Sequence, residues 1–331
     1  MTDRRPLLSI VSPAYNEQEV LPPFHAELLR TLETLQDEYD IEVIYVDDGS
    51  SDATPAVITG MAARDPRVRY VLLSRNFGHQ AALTAGLEFA RGDLIVSMDS
   101  DLQHPPHLIL ELLARWKQGF DIVLTIREDD KSLGLFKKLT SKIFYMLMRK
   151  MSGMDIRPAA ADFRLMTRKS LNALLAMPER HRFIRGMVHW LGFKRSEVNF
   201  VAPPRFAGKS KYTLLKMIRF ARDGLLSFSR VPLHAALLAA GGALGLSFLL
   251  SFGAWLAWKP AGTVAWLMLA LIFTAHLGGF AVWVALLAFS EYLARVHEQV
   301  LGRPLYVISE TSDRNEQGEV ALPYANKRTA A

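Results

Sequence analysis

Leu94-Ile95-Val96-Ser97-Met98-Asp99-Ser100-Asp101 decides how this chain is read. Five residues without a charge or a turn former end abruptly on two carboxylates. That is the pattern of a short strand buried on both faces with acids at its carboxyl end. Working outward, Leu7–Val11, Ile41–Val46, Arg69–Leu73 and Asp121–Thr125 are similar short runs. Between them lie helix-like stretches near Glu19–Tyr39, Asp52–Arg64, Gln80–Ala90 and Pro106–Gln118. Strands that alternate with helices predict an α/β fold with a mostly parallel sheet. Such sheets bind ligands beyond the carboxyl ends of their strands. Four polar motifs fall there: Ser12–Glu17, Asp47–Asp52, Ser74–Gln80 and Asp99–Gln103. They predict one site on one edge.

Asp99 and Asp101 offer hard oxygen ligands for a divalent cation, and Gln103 adds a neutral oxygen. Such a cation would neutralise a diphosphate leaving group. His104 and His107 raise a zinc alternative, which the loop-forming Pro105-Pro106 and the absence of any thiolate disfavour. In Asp47-Asp48-Gly49-Ser50-Ser51-Asp52, Gly49 permits a tight turn and Ser51 or Asp52 can cap the next helix. Neither accounts for two adjacent acids, and a carboxylate there can accept the ring N–H of uracil or guanine. No Walker A or G-x-G-x-x-G sequence is present, which disfavours a P-loop or a dinucleotide site.

Of the 331 residues, 50% are hydrophobic, an ordinary share with an uneven distribution. Val231–Trp258 and Pro260–Ser290 contain no Asp, Glu, Lys or Arg. Each exceeds the roughly 20 apolar residues that cross a bilayer core. Buried core helices are the alternative, but helices of globular proteins are commonly shorter. The net charge is +6, and Arg205, Lys209, Lys211, Lys216, Arg219, Arg222 and Arg230 precede the first apolar run against one acid, Asp223. A basic segment abutting a span reads as attraction to anionic lipid and lipid phosphate rather than to nucleic acid. With only Lys259 between the two runs, the asymmetry places both long flanks on the cytoplasmic side. Leu133–Met151 carries an apolar stripe beside Lys137, Lys138, Lys142, Arg149 and Lys150. It fits a helix lying on a membrane surface or, equally, a solvated helix packed on the domain. After Ser290 a polar tail is expected. There are no cysteines, so no disulfide or thiolate metal site exists.

Pro13-Ala14-Tyr15-Asn16-Glu17, Asp47–Asp52, Ser74-Arg75-Asn76-Phe77-Gly78-His79 and Asp99-Ser100-Asp101-Leu102-Gln103-His104-Pro105-Pro106 together resemble the family 2 glycosyltransferases. Asp162-Phe163-Arg164-Leu165-Met166, Phe183-Ile184-Arg185-Gly186, Gly208-Lys209-Ser210-Lys211-Tyr212 and the paired apolar runs extend the likeness over roughly residues 7–305. They point to the polyprenyl-phosphate branch, with dolichyl-phosphate-mannose synthase and bacterial undecaprenyl-phosphate glucosyltransferases as its relatives. The resemblance implies a GT-A type nucleotide-sugar-binding domain over 1–204, with 133–151 as an interface helix. A basic juxtamembrane segment at 205–230, transmembrane helices at 231–258 and 260–290, and a cytoplasmic tail at 291–331 would follow.

The resemblance also implies inversion at the anomeric carbon of a hexose, with glucose favoured. A UDP-sugar is the favoured donor and a GDP-sugar the second. Pro13, Tyr15, Glu17, Asp47 and Asp48 would line the nucleotide, with Asp99, Asp101 and Gln103 holding Mg²⁺ or Mn²⁺ and the diphosphate. Arg127, Arg164, Arg205, Lys209 and Lys211 would meet donor or acceptor phosphates. Asp162 lies where the bacterial branch has a proposed catalytic base. The implied setting is a bacterial inner membrane, multi-pass, with room for a homo-oligomer. Independently, a phosphate monoester with a second pKa of about 6 is already mostly dianionic at neutral pH. It needs cations more than a base, so Asp162 could instead orient Arg164 or the acceptor, or simply cap a helix. Two rivals remain. A processive synthase would carry Gln-x-x-Arg-Trp, but Arg115-Trp116 has Leu112 at the Gln position. A non-enzymatic membrane scaffold would not need Asp48, Asp99 and Asp101.

Overall fold

The computed structural model describes residues 4–128, 160–203, 231–256 and 264–313. The expected surface helix at 133–151 and the basic segment 205–230, with Arg205, Lys209 and Lys211, lie outside them.

The five expected strands form at β1 (Leu7–Ala14), β2 (Asp40–Asp47), β3 (Val68–Leu73), β4 (Leu94–Ser97) and β5 (Ile122–Arg127). Helices α1 (Leu21–Glu33), α2 (Thr54–Arg64), α3 (His79–Phe89) and α4 (Leu108–Lys117) alternate with them. β6 (Ala160–Thr167), α5 (Arg168–Leu175), α6 (Ile184–Trp190) and β7 (Arg195–Phe200) follow. β8 (Ile308–Thr311) comes last. The sheet order is β7-β5-β6-β4-β1-β2-β3-β8. β1 pairs in parallel with β2 and β4, β2 with β3, and β5 with β7. Among the described strands, only β6 and β8 run against the rest. The sheet is therefore mostly parallel, as its alternating pattern predicts.

α1 shows why these segments are helices. Leu21, Phe24, Leu28 and Leu32 recur at helical spacing and are all buried, and proline stands in its first turn, where a missing N–H costs nothing. They pack with Leu8, Ile10, Tyr45 and Ile109 in one core. On the opposite face α3 lies directly on β1 and β2. A Cβ at Gly86 would come within 2.4 Å of Val11 Cγ1 and 2.9 Å of Val46 Cγ2. Close seating of α3 fixes where its first residue, His79, projects.

β6 is the structural surprise. Inserted antiparallel between β4 and β5, it pairs Arg164 with both Ser97 and Leu124. Its amino end therefore lies on the edge where the other central strands finish. Alternation along the strand puts Asp162 and Arg164 on one face and Phe163 and Leu165 on the other. Phe163 and Leu165 join the core.

The second compact unit is a hairpin of α7 (Val231–Leu256) and α8 (Val264–Val300). Ser247 Oγ donates to Thr274 O at 2.9 Å, and Ser251 Oγ lies 3.2 Å from Thr274 Oγ1. Small residues and hydroxyl bonds of this kind join helices in lipid. Both helices are long and apolar enough to cross a membrane. Most of their large side chains are exposed, Phe248 at 69% and Trp283 at 66%, so buried core helices are the wrong description. Apolar surface on this scale marks contact with lipid or protein.

α8 runs through Ser290 to Val300, and residues from Pro304 rejoin the sheet unit. β8 pairs antiparallel with β3. Tyr306 donates to Glu88 on α3, Ser74 N donates to Val307 O at 2.9 Å, and Asp313 pairs with Arg69 and Arg91.

Candidate active site

Four loops meet at the carboxyl edge of β1 to β4, and hydrogen bonds knit them together. Asn16, at φ +53, donates its N–H to Ser50 Oγ at 2.9 Å, and its Oδ1 accepts from Ser51 N at 2.9 Å. Glu17 N donates to Thr54 Oγ1 at 2.9 Å, while Asp52 accepts from Thr54 N at the start of α2. Ser100 Oγ donates to Pro13 O at 3.1 Å. Tyr15 stands partly exposed on this edge. Gly49 has φ +65, and a Cβ there would lie 2.2 Å from the Arg75 carbonyl carbon. Its glycine is required twice, by the turn and by the neighbouring backbone.

The two acids after β2 are both buried. Asp47 Oδ2 accepts from Ser50 N at 3.0 Å. Its buried Oδ1 has no hydrogen-bond partner among the described residues. Asp48 accepts from Phe77 N at 2.8 Å, from Gly78 N at 3.0 Å and from Asn76 Nδ2 at 3.0 Å. Burial pushes the Asp48 carboxyl above its ordinary value despite the Phe77 and Gly78 N–H groups, which act the other way. Asp48 thus organises the 76–78 loop, a task its position in the sequence does not announce.

After β4, Asp101 Oδ1 accepts from Gln103 N at 3.1 Å, and Leu102 between them has φ +61. Such conformations of a bulky residue persist only where the surroundings enforce them. Asp99 Oδ1 has no hydrogen-bond partner among the described residues, and His79 Nε2 stands 3.6 Å away. Arg127, at the end of β5, reaches Gln103 Oε1 at 3.4 Å. No group of three or more His, Asp or Glu poised for a metal occurs among the described residues. Two carboxylates and an amide nonetheless fit a magnesium-type site, in which substrate phosphate and water complete the shell. His104 is not set out as a zinc ligand, because its Nδ1 accepts the Asp99 N–H at 2.9 Å.

Asp162 is the hub of the edge. It is 4% exposed and pairs with Arg164 on the same strand. Arg185 of α6 grips it through Nε at 3.1 Å and Nη2 at 2.8 Å, and His79 Nε2 lies 3.4 Å away. Burial alone would raise its pKa, but Arg185, His79 and Arg164 hold it well below the ordinary carboxylate value. Burial would likewise lower His79, yet Asp99 and Asp162 raise it to about 9. Arg164, expected at the acceptor phosphate, is sealed at 1% exposure. It pairs with Asp162, and the more exposed arginine at this point is Arg185. Arg185 and His79 carried no assigned role in the sequence. Their motifs were visible, but the antiparallel insertion of β6 that brings them together was not. Arg115-Trp116 lies in α4, with Arg115 paired to Glu111 and Trp116 edge-on to Tyr39, which is a packing role.

The family described as Glycosyl transferase family 2 matches residues 9–175. Uncharacterized glycosyltransferase YkcC of Bacillus subtilis (strain 168) is 37% identical over 305 residues, covering 92% of this chain and 93% of that protein. SfII prophage-derived bactoprenol glucosyl transferase of Shigella flexneri is 34% identical over 314 residues, covering 93% and 99%. Prophage bactoprenol glucosyl transferase homolog of Escherichia coli (strain K12) is 35% identical over 304 residues, covering 91% and 98%.

Proposed function

The chain belongs to glycosyl transferase family 2 and has a GT-A-like sheet, and on that premise we propose that it transfers a hexose from a nucleoside diphosphate sugar to a polyprenyl phosphate. The observation that carries the acceptor class is the near full-length likeness to proteins named bactoprenol glucosyl transferase. Those names favour glucose, and with it a UDP-sugar ahead of a GDP-sugar. The two exposed apolar helices suit a lipid-linked acceptor. The chain that leaves the sheet unit after β7 returns to it at β8. If both helices cross, an even number of crossings leaves the two flanks on one side. The lysine and arginine asymmetry makes that side cytoplasmic, at a bacterial inner membrane.

Pro13, Tyr15, Glu17, Asp47 and Asp48 frame the nucleotide in this reading, with Asp48 acting through the 76–78 loop. Asp99, Asp101 and Gln103 would hold Mg²⁺ or Mn²⁺ and the diphosphate. A cation held there would supply positive charge to offset the diphosphate leaving group. An acceptor phosphate oxygen attacks the anomeric carbon from the opposite face, the bond to the diphosphate oxygen breaks, and the configuration inverts. The dianion requires no proton removal. Asp162, already held as an anion by Arg164, Arg185 and His79, therefore positions those cations rather than taking a proton. Arg127 and Arg185 offset charge at the edge, and Arg205, Lys209 and Lys211 meet the acceptor phosphate.

The test uses membranes containing the full chain, radiolabelled uridine- and guanosine-diphosphate hexoses, and undecaprenyl phosphate. Label should pass into extractable lipid from the uridine donor, and a chelator or Asp99→Ala should stop it. Absence of labelled lipid with every donor would remove the reading.

A further inference from the structure

We propose that His104 is a positioning residue that aims the Asp99–Asp101 loop at its cation, an inference that rests on the metal reading above. The chain between Asp99 and His104 turns back on itself through Leu102 at φ +61. Its far end is fixed where α4 begins, with Leu108 N donating to Pro105 O at 3.1 Å and Ile109 N to Pro106 O at 3.0 Å. From that fixed end the His104 side chain reaches back, and Nδ1 accepts the Asp99 N–H at 2.9 Å. A nitrogen that accepts carries no hydrogen, so the ring hydrogen is on Nε2.

The ring is held independently of this bond. It is 7% exposed. It stacks on Phe163 at 5.3 Å between centroids and meets Phe200 edge-on at 6.0 Å. Phe163 stands between Asp162 and Arg164 on β6, so the same aromatic seat ties the carboxylate loop to the strand bearing the hub. An amide N–H sets the orientation of its own peptide plane. Holding the Asp99 N–H therefore fixes the backbone from which the Asp99 side chain leaves. No metal–histidine bond is involved. Groups that orient metal ligands in this way typically cost tenfold to a hundredfold in metal affinity when removed, an order-of-magnitude expectation.

The test measures Mn²⁺ binding to the full chain in detergent by electron paramagnetic resonance of the free ion, with uridine diphosphate present at a fixed concentration and its own Mn²⁺ binding subtracted. His104→Leu fills the aromatic seat but leaves the Asp99 N–H without its acceptor. It should weaken Mn²⁺ binding by about tenfold or more. His104→Asn places its Oδ1 where Nδ1 was and should restore most of the affinity. Should His104→Leu fail to fold, His104→Gln replaces it, being polar but carrying its oxygen beyond the Nδ1 position. A residue that served packing alone would lower the unfolding temperature and leave Mn²⁺ affinity of the folded protein unchanged. That outcome overturns the inference, as does an Asn variant as weak as the Leu or Gln variant. Absence of Mn²⁺ binding in the unsubstituted protein would remove the metal reading and this inference with it. Normal binding there, unchanged in the variants, removes the inference alone.

Discussion

Asp162→Ala should destabilise the sheet unit severely, and a second substitution should repair the stability without repairing the activity. The carboxylate is buried among Arg164, Arg185 and His79. Removing it leaves Arg164, 1% exposed, as a buried cation without its counter-charge. Breaking a buried pair from one side costs roughly 3–5 kcal/mol. At about 2–4 °C per kcal/mol for a domain of this class, the unfolding temperature should fall by roughly 6–20 °C. Replacing both charges, as Asp162→Leu with Arg164→Met, removes the stranded cation, and such apolar replacements are often neutral or stabilising. The double variant should therefore melt near the parent protein. Transfer should stay low, because Arg185 and His79 have lost the anion that aims them. Thermal unfolding in detergent beside the labelled-lipid assay checks both halves. An unchanged melting temperature for Asp162→Ala, or a double variant no more stable than the single one, would refute the reasoning. The sign with pH follows. The folded pKa of Asp162 is depressed, so its contribution is full above the unfolded value of about 3.9 and is lost only as pH falls through the lower folded one. The wild-type rate should accordingly show no limb from this group near neutral pH.

His79 has the opposite sign. Raised to about 9, it contributes stability that is full below about 6.5 and declines as pH rises through about 9; a melting-temperature scan in chelator should show this decline, and His79→Gln should flatten it. Gly49→Ala places a Cβ 2.2 Å from the Arg75 carbonyl carbon at φ +65, so the second and third loops must part, and calorimetry should show loss of uridine diphosphate binding. Tyr306→Phe removes the hydrogen bond that Glu88 accepts from the Tyr306 hydroxyl, which should cost about 1–3 kcal/mol of stability by thermal unfolding. The chain has no cysteine, so Lys259→Cys gives a single label site; an impermeant maleimide should reach it from outside intact cells, whereas cysteines placed at either terminus should react only after lysis.

Much of this architecture was legible because local signals and tertiary demands agree. Leu94–Ser97 can bury both faces only as a central strand, and the acids that follow must then sit at its carboxyl end. Gly49 announced its turn, although the approach of Arg75 was invisible. What stayed hidden is non-local. Nothing within Asp162–Met166 states that the strand runs against its neighbours. Yet that reversal carries Asp162 and Arg164 to the shared edge, and it buries Arg164 against Asp162. The strand in the tail stayed hidden for a related reason. Ile308–Thr311 is short and polar, and its stability comes from β3 rather than from its own pattern.

The return strand also bears on the candidate site within the sheet unit. α7 and α8 form a hairpin whose described flanks both belong to the sheet unit. β8 completes an edge that would otherwise present unpaired β3 backbone. Tyr306 is fastened to Glu88, one residue before the end of α3. The first residue of that same helix is His79, between Asp99 and Asp162. A single helix, seated without slack at Gly86 on Val11 and Val46, thus joins the Tyr306–Glu88 contact to the point where His79 lies between Asp99 and Asp162. Packed interiors transmit strain rather than absorb it. Loosening the Tyr306 end should therefore be felt at His79, which makes Tyr306→Phe a probe of the site as well as of stability. In that variant the alkaline decline attributed to His79 should move, although Tyr306 touches neither Asp99 nor Asp162.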